Sequence, residues 1–213
     1  MRKSSGPESV RQHLHRFAAA ATLVVGLLGL AWPAEAEIVY TPADIKIKED
    51  MKYNLDLNHD GGTDFIISTK HSTQMCHFGS GTYSTVDEAP VSGNGADGSN
   101  PTRLEEGDPI GPLLTFYGST GTIALLGECP INGFQWSGNW IGEASPPCPP
   151  NGCGLRFLSG YLGLMFQIDG ETHYGWALLS VSSVPYGRPL AVTLKGYAYE
   201  TTPGMPINAG QTE

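Results

Sequence analysis

The stretch "DLNHDGGTDFII", residues 56 to 67, gathers three aspartates and an asparagine into nine positions and runs directly into an apolar triplet. Counted from Asp56 as position 1, Asn58 stands at 3, Asp60 at 5, the Gly62 carbonyl at 7 and Asp64 at 9. Hard cations such as Ca²⁺ take about six to eight oxygen ligands, and oxygens on alternate residues around a glycine bend can wrap one. The competing reading is a plain hairpin turn made by His59-Asp60-Gly61-Gly62. A plain turn has no need of three carboxylates. Like charges ~6 Å apart repel by about 0.7 kcal/mol per pair in water, and a divalent ion reverses that sign.

An EF-hand would require a bidentate Glu at position 12, which here is Ile67, so that motif is excluded. The loop instead resembles the D-x-N-x-D-G-x-x-D calcium loops of FG-GAP and integrin-type repeat proteins, in which the ion sits between two strands of a sheet. The resemblance covers Asp56 to Asp64 alone and implies Asp56, Asn58, Asp60, the Gly62 carbonyl and Asp64 as ligands of a structural calcium. The repetition of the motif that builds a propeller in that family is absent, so its fold is not implied.

Two further groups carry possible chemistry. In "GFQWSGNW", Trp136 and Trp140 alternate with Gln135 and Asn139, a pattern that could form an aromatic platform for a sugar ring; core packing is the competing reading. The four cysteines, Cys76, Cys129, Cys148 and Cys153, are expected to form two disulfides, with three pairings open. Cys148 and Cys153 bracket a Pro-Pro-Asn-Gly turn and are the preferred pair, which leaves Cys76 with Cys129. A zinc site built on the C-x4-C spacing is the rival, weakened because only Cys76-His77 offers a second close pair.

Catalytic signals are sparse. His173 lies near Asp169, but no Ser or Cys sits in a nucleophile context, and His71 and His77 flank Cys76 without ligand spacing to a second pair. The chain is therefore expected to be non-enzymatic, with a hydrolase of dispersed carboxylates as a remaining reading.

The elements that must position these residues follow from the rest of the chain. "MRKSSGPESVRQHLHR", the apolar run "FAAAATLVVGLLGLAW" and "PAEAE" have the organisation of a cleavable secretory signal over residues 1–36. Its removal takes four of the 12 Lys+Arg and two of the 21 Asp+Glu, leaving eight and 19 and a net charge of −11. Such a surface disfavours nucleic acid, whose binding depends on basic side chains displacing counterions. Residues 37–213 are enough for one domain with a single core.

Apolar residues there alternate with a period of two between frequent glycines and prolines, which predicts an all-β chain built as an antiparallel β-sandwich or jelly roll. "MKYNLDL" sets Tyr53, Leu55 and Leu57 on one face. "GYLGLMFQIDGETHYGWALLSV" predicts a hairpin turning at Asp169-Gly170, with Ile168 opposite Glu171, Phe166 opposite His173 and Leu164 opposite Gly175. "PLAVTLKGYAYE" is expected to turn Leu190, Val192 and Leu194 one way and Thr193, Lys195, Tyr197 and Tyr199 the other. Residues 79–111, rich in Gly, Ser and Asp, read as one long loop.

From "RLEEGDPIGP" to "LKGYAYETTPGMPINAG" the chain resembles the body of secreted bacterial proteins that often carry PEP-CTERM sorting tails. The resemblance rests on Tyr174-Gly175-Trp176, on Gly196-Tyr197-Ala198-Tyr199-Glu200 and on the Pro/Gly-rich exit that follows. The ending "PINAGQTE" lacks the Pro-Glu-Pro box and apolar helix of those tails, so no membrane anchor is carried over and a soluble extracellular or periplasmic product is expected. The combined expectation is a secreted structural or adhesive module, stabilised by calcium and disulfides, acting on a cell-surface or matrix polysaccharide or protein. A carbohydrate-binding module using Trp136 and Trp140 is the alternative.

Overall fold

In the computed structural model, residues 36–75, 83–93, 101–116, 121–129, 133–142, 156–183 and 190–213 are described. They form β1 (Ile38–Ile47), β2 (Lys52–Leu55), β3 (Phe65–Ser68), β4 (Lys70–Met75), β5 (Tyr83–Gly93), β6 (Pro109–Ile110), β7 (Gly121–Cys129), β8 (Gly133–Ser137), β9 (Ile141–Gly142), β10 (Arg156–Phe157), β11 (Ser159–Ile168), β12 (Glu171–Ser183), β13 (Leu190–Glu200) and β14 (Ile207–Asn208). No helix occurs among the described residues, and none there is long and apolar enough to cross a membrane. Residues 1–36, expected to be a secretory signal, lie outside them except for Ala36.

Two antiparallel sheets form the sandwich. One has the order β1-β13-β12-β11; the other runs β2-β3-β5-β7-β8, with β4 also paired to β5. Their facing sides share one core, in which Leu55, Leu57, Phe65, Ile67 and Ile123 from the second sheet and its loops meet Leu162, Leu164, Phe166, Ala177, Leu179 and Val192 from the first. Burial of this apolar surface is the main force holding the layers together.

The β11–β12 hairpin has the register expected from its sequence: Ile168 faces Glu171, Phe166 faces His173 and Leu164 faces Gly175. Asp169 (φ 53°) and Gly170 (φ 84°) supply the two positive dihedrals of a type I′ turn, whose twist matches that of the flanking strands. Gly175 is required by its neighbours, since a Cβ there would stand 2.5 Å from the Ala198 carbonyl oxygen and 3.1 Å from Leu57 Cδ2.

Strand β13 departs from strict alternation. Leu178 pairs with Gly196 but Leu179 pairs with Leu194, so Lys195 is an extra residue in the ladder. A bulge of this kind shifts the pleat by one residue. Tyr197 and Tyr199 are therefore not opposite to Leu190, Val192 and Leu194 as expected; all five enter the same core. On β1 the ladder breaks between Pro42 and Ile45, beside the same bulge. There Lys195 Nζ donates to Asp44 Oδ1 at 2.6 Å, with both side chains largely exposed. Ion pairs in such a setting contribute little. Asp44→Ala is expected to change the melting temperature by no more than about 2 °C, a shift readable by a thermal melt at low and high salt.

Part of the outer face of the first sheet is covered as well. Tyr174, Trp176 and Ala198 pack there against Leu104, Ile110, Ile207 and Ala209. The last two belong to the Pro/Gly-rich exit, which folds back so that β14 pairs with β6. Trp176 Nε1 donates to the Gln211 carbonyl at 3.0 Å, and Leu104 exchanges backbone hydrogen bonds with Tyr161. Coverage on both sides explains why β12 is apolar on both faces from Tyr174 to Leu179.

The described part of residues 79–111 contains strands rather than loop alone. Within it β5 hydrogen-bonds to β3, β4 and β7, and β6 joins β14. Backbone ladders supply this order, and every residue can enter them, proline through its carbonyl alone. Composition gives them little signal.

Candidate metal centre

The acidic loop joins β2 to β3 on the edge of the second sheet. Alternation along β2 carries past its end, so that Leu57 is fully buried while Asp56 and Asn58 on either side remain accessible. Asp64 closes the loop: its amide donates to the Leu55 carbonyl at 2.9 Å, and its Oδ2 accepts from the Leu57 amide at 2.7 Å. His59 (φ 61°) and Gly61 (φ 90°) make the bend, the second in a region that side chains rarely enter.

The side chains at positions 1, 3 and 5 converge on the backbone of the bend. Asp56 Oδ1 and Asn58 Oδ1 both accept from the Asp60 amide, at 3.2 and 3.3 Å. Asp56 Oδ2 takes the Gly61 amide at 2.8 Å, and Asp60 Oδ1 takes the Gly62 amide at 2.7 Å. Asn58 Nδ2 donates to Asp60 Oδ2 at 2.9 Å. Burial pushes the Asp64 carboxyl up from its ordinary value; the Leu57 amide opposes this, and the negative charges of Asp60 and Asp56 reinforce it. The sign follows directly: a carboxyl raised in the folded state contributes stability below its unfolded value, and loses it as pH rises through the folded one. Asp60, bonded by Asn58 and then by the Gly62 amide, is held below its ordinary value and has the opposite dependence.

In chemical type the donor set is all oxygen and suits a hard cation. Asp56, Asn58, Asp60, Asp64 and the Gly62 carbonyl are the residues that would hold it. With the carboxylates drawn onto backbone amides, no three Asp, Glu, His or Cys side chains among the described residues form an ion-holding group. Charged oxygens that lack a counter-charge are satisfied by N–H donors in this way.

One contact was not readable from the sequence. His59 Nε2 lies 3.0 Å from Thr41 Oγ1 on β1, and its ring is 5.9 Å from that of Tyr197 on β13. The loop of one sheet thus reaches the other, and Asp56 is among the groups that raise Tyr197, after burial and Tyr53. The partners are distant in the chain, and no local pattern marks a histidine for such a contact.

The other candidate residues fare differently. Trp140 is fully buried in the core between the sheets and cannot serve as an exposed platform; its amide donates to Ile123 and its carbonyl accepts from Leu158, which fixes it inside. This corrects the platform reading for that residue. The Trp136 side chain lies outside the described residues, although its backbone in β8 pairs with Leu126 of β7. Cys76, Cys148 and Cys153 also lie outside them, and Cys129 is placed only by its backbone at the end of β7.

His173 is 3% exposed, and its Nδ1 donates to the Glu200 carbonyl at 2.9 Å, an assignment forced by a partner that can only accept. The Phe166 ring lies 6.0 Å away, and Asp169 is out at the turn. This is the setting of a structural histidine. His173→Ala is expected to cost about 2–3 kcal/mol, from the lost ring burial and hydrogen bond, measured by chemical denaturation.

Compared with family models, curated proteins and solved structures, the chain matches none.

Proposed function

We propose that this chain is a secreted, non-enzymatic structural or adhesive module whose sandwich is stabilised by calcium in the loop from Asp56 to Asp64 and by disulfides among Cys76, Cys129, Cys148 and Cys153. The observation that carries the reading is the loop itself: five oxygen donors on alternate residues, bent at Gly61 and clipped shut by Asp64. An ion there would offset the mutual repulsion of Asp56, Asp60 and Asp64 and pin β2 to β3. Through His59 the same loop abuts β1 and β13, so a stiffened loop would hold both layers. The affinity with the body of PEP-CTERM-type secreted proteins belongs to this reading. In the sheet Gly175 pairs with Tyr199 and Trp176 with Ala198, so the two motifs on which the resemblance rests lie side by side. The partner would be a cell-surface or matrix polysaccharide or protein, met outside the cell or in the periplasm.

A thermal melt in calcium and in chelator tests the proposal. With calcium at about 100 times its dissociation constant, a gain of about 2.7 kcal/mol is expected, equivalent to roughly 5–10 °C for a chain of this size. Asp60→Ala should remove the calcium-dependent rise while leaving the melt in chelator near that of the wild type. A wild-type melt indifferent to chelator would overturn the calcium reading.

A further inference from the structure

We draw no further inference here: the strongest candidate, the partly buried apolar patch of Leu114, Phe116, Tyr161, Met165 and Leu178 on the outer face of the four-stranded sheet, carries nothing because nothing in the structure shows what covers it.

Discussion

Replacement of Trp140 by Ala is expected to destabilise the protein by about 3–5 kcal/mol, a large part of the stability of an ordinary domain. Trp140 is among the largest of the fully buried side chains, and it shares a core with Ile123, Ile141 and Phe166. Removing the indole leaves a void that the surrounding strands can close only in part, because their ladders hold them. One feature of the wild type works the other way. The indole N–H has no acceptor among the described residues, and a buried donor in that state costs about 1–3 kcal/mol. Trp140→Phe should therefore retain much of the stability, since it keeps a ring and discards the orphan donor. Urea denaturation of the three proteins measures both differences. A loss below about 1 kcal/mol in the alanine variant would place the ring outside the core.

Gly138→Ala is expected to be at least as damaging and to prevent folding in the limit. Gly138 follows β8 with φ 103°, a conformation that a residue bearing a Cβ adopts only at a cost of about 1–3 kcal/mol. Space is closed as well. An added Cβ would overlap the Ile123 carbonyl oxygen and stand 2.8 Å from the Ile123 carbonyl carbon and 3.0 Å from Ala124 Cα. These are backbone atoms of β7 next to the point where Ile123 accepts from the Trp140 amide, so relief requires moving a strand of the core. The control is Gly61→Ala. Gly61 has φ 90° with nothing near its absent Cβ, so only the conformational cost of about 1–2 kcal/mol applies. Far-UV circular dichroism and denaturation of the two variants separate strain from collision. Equal losses would show that the approach to Ile123 is not tight.

The acidic loop shows how far local reading extends into a site. Which residues carry oxygen, and that Gly61 bends the chain, were legible because both are properties of neighbours a few positions apart. Where those oxygens turn was not legible. Each chooses among backbone amides, its companions and an ion, and that choice depends on how Asp64 clips the loop to Leu55 and Leu57. The contact of His59 with Thr41 depends in turn on two sheets having already stacked.

The amino-acid sequence alone determined the β class, the hairpin at Asp169-Gly170 with its register, and the inward set Tyr53, Leu55 and Leu57. Alternation and turn chemistry are short-range, and a strand with one apolar face has a single way to bury it. Tertiary structure decided that Lys195 slips the pleat so that Tyr197 and Tyr199 turn inward. It likewise decided that β5 forms from a polar segment, that Trp140 is enclosed, and that the exit from β13 covers part of the outer face of the sheet. Each of these rests on backbone pairing or burial between residues far apart in the chain, which become neighbours only when the layers pack.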